Sequence, residues 1–553
     1  MAFPNNNINP GYIHYDVDTS RAYMYKGGNA TDLINSWTEI DLALTPDIFV
    51  KQADPMVLDK VTDPWIDVRA YGSIQNAVNA AANKTLVFPS GTYNMGLVTI
   101  NNPMAIIALG KVTINLTGTN ARFRVDSPIT WLILRDLNFN GSGVLADNHY
   151  ALAPNNSAVI IQDLLIDNCS ASNVVNGFDT SSAKRVVMIA PKVMTTVGES
   201  SGQGYGIVAG GGNGNYSEDI FIIAPYLYRT TRHGIYLGAT KRAQIVSPIF
   251  YQHRNGSAGW SYRSALALSR GEDIAVSNPQ FINCADECIG LDDDDTVTGQ
   301  ADSFIINGGS IRNSQDVCRA LRVGTFSVPS ADASVKRIAI RNLTVELNTN
   351  LSGTNRDIYV LDGTDVLIDS LHVDGAQAYV SAKEIIYIEG NGSFYGAVTI
   401  QNISGRITGS STKSLVRIDD AICIGTREVN VLNNTITGLS TGNSSGLLAY
   451  NTPITNINVR TDSKQEIGIS GATPTVGLGE RFVMTQVGAT NVTNFLGGLE
   501  GDEITIRFND NNSTIKATNI YLQGGIDFVA TLHDMLTIQY RGGSWRENSR
   551  SIN

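Results

Sequence analysis

Between Cys284 and Asp295 the chain reads Cys-Ala-Asp-Glu-Cys-Ile-Gly-Leu-Asp-Asp-Asp-Asp, with adjacent acids Asp286 and Glu287 before a short apolar run and four more acids after it. Crowded like charges raise one another's pKa and are costly to take out of water, so such a cluster is either a solvated turn or a working site. Two acids of unequal pKa supply the proton donor and the carboxylate of glycoside hydrolysis, at separations of ~5.5 Å for retention or ~6.5–9.5 Å for inversion. Asp286 and Glu287 form that pair if the solvent-facing turn before the strand breaks alternation and directs both to one face. Asp292 lies roughly 20 Å further along an extended strand at ~3.3 Å per residue, and joins them only if the chain folds back after Leu291. Arg319 and Arg322 could hold one acid ionised or bind an acidic sugar. A second chemistry, proton abstraction beside a uronate, would use His233, His253 or Tyr236 as base, with Arg263 or Arg322 neutralising the carboxylate. Hard cations want several oxygen ligands at regular spacing, which Asp292–Asp295 lacks, so neither a metal nor a cofactor is expected.

These residues must be carried by short repeated strands. Ile189-Ala190-Pro191, Ile223-Ala224-Pro225, Val246-Ser247-Pro248 and Ser277-Asn278-Pro279 recur at steps of 34, 23 and 31 residues. A second row recurs between them: Gly206–Ala209, Gly234–Leu237, Ala265–Leu268, Cys288–Leu291, Ala320–Val323 and Ile358–Leu361. Each strand is too short to stand alone, so stacking coil on coil must bury a shared apolar interior, the logic of a parallel β-helix. With Ile235 and Leu237 inward, one outward column holds Arg232, Arg263, Asp286, Cys318 and Arg356, and another Tyr236, Ala267, Gly290, Arg322 and Val360. Gly234, Ala265, Cys288 and Ala320 are expected between them as the floor of a groove for a hydroxyl-rich chain.

The rest of the chain agrees with an all-β protein. At 553 residues, with 53 glycines and 16% charged residues, it has the composition of many short strands joined by polar turns. The net charge of −11 argues against nucleic acid or an anionic membrane as partner. No apolar run reaches the ~18 residues of a membrane span, and the first residues lack a basic segment followed by an apolar one, so neither anchoring nor export is expected. The five cysteines form no C-x-x-C pair, which leaves buried free thiols as the expectation. Residues 1–64 read as small hairpins around Gly27-Gly28. From residue 65, Ser73 caps a helix with Ile74, Ala77, Val78 and Ala81 on one face, followed by Phe88-Pro89-Ser90-Gly91-Thr92-Tyr93. Repeats extend to 466. Residues 467–553 alternate over Glu503–Phe508 and Met535–Tyr540, as in an antiparallel sandwich.

The helix and its Phe-Pro-x-Gly-x-Tyr turn resemble the opening of pectate-lyase-like right-handed β-helices in phage tailspikes, and Gly542–Arg550 resembles the last strand of tailspike C-terminal domains. Ala285–Leu291 resembles the Gly-Asp-Asp-Cys-Ile-Ala-Ile segment of polygalacturonase-type glycoside hydrolases, which implies catalytic roles for Asp286 and Glu287. Departures from that pattern are Arg319, which stands at the family's histidine, and Ser264, which stands where the family has a further aspartate, so galacturonan is not implied. Together the resemblances imply a right-handed parallel β-helix at 65–466 and a C-terminal β-sandwich at 467–553 for trimerisation or carbohydrate binding. The implied function is a homotrimeric tailspike in the virion tail, joined to the tail through residues 1–64. It would cut a bacterial capsule or O-antigen with Arg232, His233, Tyr236, His253, Arg263, Arg319 and Arg322 on the glycan. A polysaccharide lyase and a non-catalytic adhesin on the same scaffold are the alternatives.

Overall fold

The computed structural model describes residues 65–552, apart from internal stretches of which 325–335, 347–357 and 438–447 are the longest, and three earlier strands. The chain divides into two units, 1–66 and 67–553. In the first, Ile13–Asp16, Arg21–Tyr25 and Trp37–Ile40 form a three-stranded antiparallel sheet.

The second unit opens with the cap helix, Ile74–Ala80. Ser73 is its N-cap, its hydroxyl accepting from Asn76 N at 3.1 Å, and Ala77, Val78 and Ala81 are buried against the first coil. In the turn that follows, the Phe88 and Tyr93 rings meet edge to face at 5.0 Å, and the Tyr93 hydroxyl donates to Pro89 O at 2.7 Å.

A right-handed parallel β-helix follows, with three strands per coil rather than the two rows read from the sequence. In one coil these are His233–Gly238, Thr240–Val246 and Ile249–Tyr251, and the next begins at Ser264–Ser269. The first row forms a 13-stranded parallel sheet, and the second and third together form one of 26 strands. Third-row strands such as Tyr226–Tyr228, Ile249–Tyr251 and Gln280–Ile282 have three residues each, too few for alternation to reveal.

The Pro-bearing recurrences are the corner between the second and third rows. From Ala190 on, two residues make that corner in each described coil: Ala190–Pro191, Ala224–Pro225, Ser247–Pro248, Asn278–Pro279, Gly308–Gly309, Asn342–Leu343, Ser370–Leu371, Asn402–Ile403 and Asn433–Asn434. The first of each pair is left-handed, with φ of 47° at Ala190 and Ala224 and 57° at Asn342, which explains the Asn and Gly among them. Its N–H bonds the next coil, as from Ala224 N to Val246 O at 2.8 Å. At the second position the N–H needs another acceptor, and Ile403 N finds it in Asn434 Oδ1 at 2.8 Å. Proline there removes the donor altogether.

The interior is filled by inward residues of all three rows, including Phe250 and Phe281 stacked at 4.8 Å. Fully burying each such side chain stabilises the fold by about 1.5–3 kcal/mol. In the C-terminal part, a six-stranded and a three-stranded sheet enclose Phe482, Phe508, Phe528 and Trp545, whose Nε1 donates to Phe495 O at 2.7 Å. Glu503–Phe508, Met535–Arg541 and Ser544–Ser551 pair antiparallel as expected, the last two across a Gly542–Gly543 turn with both φ positive. The sheet as a whole is mixed, because Glu466–Ile469, Arg481–Met484 and Glu503–Phe508 run parallel.

Candidate functional site

Five consecutive first-row strands carry the acids and most of the partners expected for them: β1 (Tyr205–Gly210), β2 (His233–Gly238), β3 (Ser264–Ser269), β4 (Asp286–Asp292) and β5 (Cys318–Val323). Tyr236, Ala267, Gly290 and Arg322 share one register column, as expected, but the next member is Tyr359, not Val360. Arg356 lies outside the described residues.

Alternation breaks two residues before that column. The ladder skips Gly206, Gly234, Ala265, Cys288 and Ala320, whose neighbours on both sides are in register. These small residues are not a groove floor. They turn into the interior, where a Cβ on Gly206 would come 2.8 Å from the Leu227 side chain and one on Gly234 2.7 Å from the Phe250 ring. Ala265 and Cys288 are fully buried. Because two consecutive residues turn inward there, the position before them faces outward, giving a column of Tyr205, His233, Ser264, Glu287 and Arg319.

Glu287 therefore lies over Gly290 on the outer side, its Oε1 2.3 Å from where a Gly290 Cβ would be. Arg322 grips its carboxylate with two nitrogens, Nε to Oε2 at 2.9 Å and Nη2 to Oε1 at 3.1 Å. Arg319 Nη1 approaches Oε2 at 3.5 Å, and the Ser264 hydroxyl donates to Oε1. Glu287 is 0% exposed, and both arginines are buried. The expected solvent-facing turn is thus corrected to a buried, donor-saturated ion cluster. Both carboxylate oxygens are occupied, and Arg319 and Arg322 are spent on Glu287 instead of standing open to a ligand.

Asp286 opens β4 in the left-handed region, φ 68°, a conformation that Asp tolerates better than most residues. It is 1% exposed, with Oδ2 3.2 Å from Arg254 Nε and accepting from Arg263 N at 3.3 Å. Arg254 also reaches Glu199 Oε1 at 3.4 Å, while Arg263 Nη1 binds Glu199 Oε2 at 2.5 Å. Arg263, then Arg254, hold Glu199 ionised below its ordinary range. Half-exposed Glu199 is the outer end of this chain of charges. Asp292 ends β4 in register with Ser269, so the strand runs extended from Asp286 to Asp292 and does not bring the two together. Asp293–Asp295 lie outside the described residues.

The two histidines expected as bases differ from one another. His253 Nε2 must donate to Arg263 O at 3.0 Å, which leaves Nδ1 to accept from the Thr230 hydroxyl at 2.8 Å. With both nitrogens used and burial pulling its pKa down to about 4, His253 is a structural crosslink between corners. His233 donates from Nδ1 to Ser264 O at 3.0 Å, and burial holds it neutral, well below its ordinary pKa. Its ring stacks with Tyr205 at 5.3 Å and Tyr236 at 5.4 Å, while Arg232 lies 5.5 Å from the Tyr205 ring centre. Tyr236 is spread over Gly238, where a Cβ would meet its ring at 2.6 Å. Tyr205, Glu199 and Arg254 were missed in the sequence. Extending the His233 column back one coil would have found Tyr205, whereas Glu199 and Arg254 come from corners with no repeat signal.

The outward face thus joins a charged edge, a locked carboxylate and an aromatic strip. No protein-family model matches the chain, and no match was found among curated protein sequences. Among solved structures, the N-terminal fragment of bacteriophage Phi29 gene product 12 is 14% identical over 87% of this chain and 76% of its own, with a TM-score of 0.45. The Streptococcus pneumoniae surface adhesin PfbA is 14% identical over 70% of this chain and 100% of its own, with a TM-score of 0.43. The Dettilon tailspike protein is 13% identical over 70% and 66%, with a TM-score of 0.38. At these values the likeness adds nothing to what the coil geometry already says.

Proposed function

We propose that this chain is a tailspike-type protein that binds a bacterial surface polysaccharide, capsule or O-antigen, along the outward face of β1–β5 and cuts it by endo-glycosidic hydrolysis. The observation that carries the reading is the continuity, on one face, of the Tyr205–His233–Tyr236 rings with the buried acids Asp286 and Glu287. Sugar rings stack their apolar faces on aromatic rings, and hydrolysis needs two carboxyl groups nearby. Glu287 is the member bound by Arg319 and Arg322, and Asp286 is the member that moves a proton. Glycan displaces exposed Glu199 from Arg254 and Arg263 and so uncovers Asp286. In the repeat 65–466, Arg232 and Arg263 flank the bound chain, and Asp292 remains a candidate from the far end of β4.

A lyase is the second reading, favoured by His233. Its imidazole is neutral, and among the described residues none bonds Nε2, as a base abstracting a proton beside a uronate requires. Incubation with a panel of capsular and O-antigen polysaccharides decides. New reducing ends without ultraviolet absorbance mean hydrolysis, absorbance from an unsaturated product means elimination, and binding without either means an adhesin.

Assembly as a homotrimer in the virion tail, attached through residues 1–64, belongs to the same proposal. Its support is the outward side of the third row, where Met194, Tyr226, Tyr228, Ile249, Tyr251 and Ile282 make an apolar patch suited to a second copy. Sedimentation as a monomer at micromolar concentration would end it.

A further inference from the structure

On the strands before β1, the same outward face carries a second constellation. Asp179 ends the strand Asn176–Asp179 and is in register with Val208 of β1, which is in register with Tyr236. Asp179 thus belongs to the outward column that continues to Gly290 and Arg322. Arg122 lies two coils earlier on Arg122–Val125, between the fully buried Ala121 and Phe123, so its side chain is turned outward. Tyr150, on the coil between, has its ring centre 4.8 Å from the Arg122 guanidinium carbon.

What sets these residues apart is how little they are bound. Arg122 Nε is buried without a hydrogen-bond partner, and whereas Arg254 and Arg319 each stand within 4.0 Å of a carboxylate, Arg122 has none so close among the described residues. Its strand neighbour Arg124 is paired with Asp126 at 2.5 Å. Asp179 takes both of its hydrogen bonds, from Ser181 N at 3.0 Å and Ser181 Oγ at 2.6 Å, on the same oxygen, Oδ1. Among the described residues, none donates to Oδ2. Burial raises the Asp179 pKa, with Arg122 pulling the other way, and burial lowers that of Arg122. Each therefore lies in the other's field, yet they do not close into an ion pair. Two coil steps of ~4.8 Å separate them along the axis, and because Asp179 stands level with Ala153 and Arg124, Arg122 lies two residues, roughly 6.6 Å, further back along its strand, with the Tyr150 ring beside it.

We propose that Arg122, Tyr150 and Asp179 form a separate glycan subsite that takes one hexose ring by two of its hydroxyls and its apolar face. The proposal rests on the polysaccharide reading above and gives it a second point of grip. A lone anion would meet Asp179 and a lone cation Arg122, whereas hydroxyls both accept and donate. One hydroxyl oxygen accepts from the guanidinium, another hydroxyl donates to Asp179 Oδ2, and the ring lies against Tyr150. Tyr205, whose ring is 5.5 Å from that of Tyr236, continues the surface toward β2. The glycan would be gripped at both ends of one strip.

The test uses the full chain and the polysaccharide that it cleaves in the panel. Arg122→Met, Tyr150→Ala and Asp179→Asn each raise KM about tenfold, as loss of one or two hydrogen bonds to ligand predicts, with kcat within about twofold. Arg135→Met, on a second-row strand and ion-paired with Asp167, leaves KM unchanged, and thermal unfolding verifies that each variant is folded. The double variant Arg122→Met/Asp179→Asn loses less than the product, because both act on one ring. Unchanged KM in the three single variants overturns the subsite while the depolymerase reading stands. Binding is read independently on an array of neutral and acidic oligosaccharides. Wild-type binding lost in Arg122→Met and Asp179→Asn upholds the subsite even where nothing is cleaved, and a wild-type chain that binds no member of the array overturns it.

Discussion

Two charged clusters share the outward face of the first row and are built in opposite ways. Around Glu287 every oxygen has a donor, the acid is fully buried, and two arginines close over it. Around Arg122 and Asp179 the opposite charges are held apart, with a guanidinium nitrogen and a carboxyl oxygen left without hydrogen bonds among the described residues. The most acidic stretch of the sequence thus made the more closed cluster. Saturated ion clusters set the position of a chain, and incomplete ones are poised to take a ligand. Arg122 Nε is buried without a hydrogen bond, which is costly until something supplies one, and half-buried Asp179 keeps Oδ2 open among the described residues.

The largest expected effect comes from breaking the closed cluster. Glu287→Gln leaves Arg319 and Arg322 buried without a counter-charge and should cost about 3–5 kcal/mol, read as a lower midpoint in denaturant unfolding. Replacing Glu287, Arg319 and Arg322 together by Leu, Met and Met should recover much of that loss, and an unchanged midpoint in Glu287→Gln would show that the cluster is not a lock.

Asp286→Asn sharpens the comparison from the catalytic side. Glu199 still neutralises Arg254, so the fold should survive, while release of reducing ends falls at least ~10²-fold as expected for a lost acid–base group. Full turnover in this variant would move the chemistry away from the pair. The subsite variants come next, with their roughly tenfold rise in KM.

A smaller effect is pH dependence from His253. Its folded pKa, about 4, lies below the ordinary 6.5, so the unfolded chain binds the extra proton first as pH falls. The stability contributed by the neutral, buried ring is complete above about pH 6.5 and is lost between there and about pH 4. His253→Gln, which keeps a donor, should flatten the fall of the unfolding midpoint across that window, and an unaltered slope would remove His253 as its source. Smallest of all is Ala224→Gly. A left-handed Ala costs roughly 1–2 kcal/mol and Gly's extra chain entropy about half that, so the midpoint should rise slightly.

The stacked repeat and the cap helix were legible because apolar alternation and a Ser N-cap are local signals, and the resemblance to tailspikes supplied the handedness. The direction of Glu287 was not legible. It depends on Cys288 and Ile289 both turning inward, and nothing in Asp-Glu-Cys-Ile tells an inward Cys from an outward one. The partners of Asp286 were hidden for another reason, since Arg254 and Glu199 come from corners of separate coils and meet only in space. Asp179 was hidden by its plainness, a single acid at a strand end with no motif around it.

The corner of two residues has a consequence for how such a molecule can change. From Ala190–Pro191 to Asn433–Asn434 its length never varies, whereas the connections on either side of the first row range from the single Ala239 to the residues between Tyr251 and Ser264. One corner keeps the pitch and the other two keep the vocabulary. Segments that border the first-row face can be rewritten while the corner opposite holds each coil in step with the last. The pitch of the coils is thereby kept on a different edge from the segments that vary, and change in one need not disturb the other.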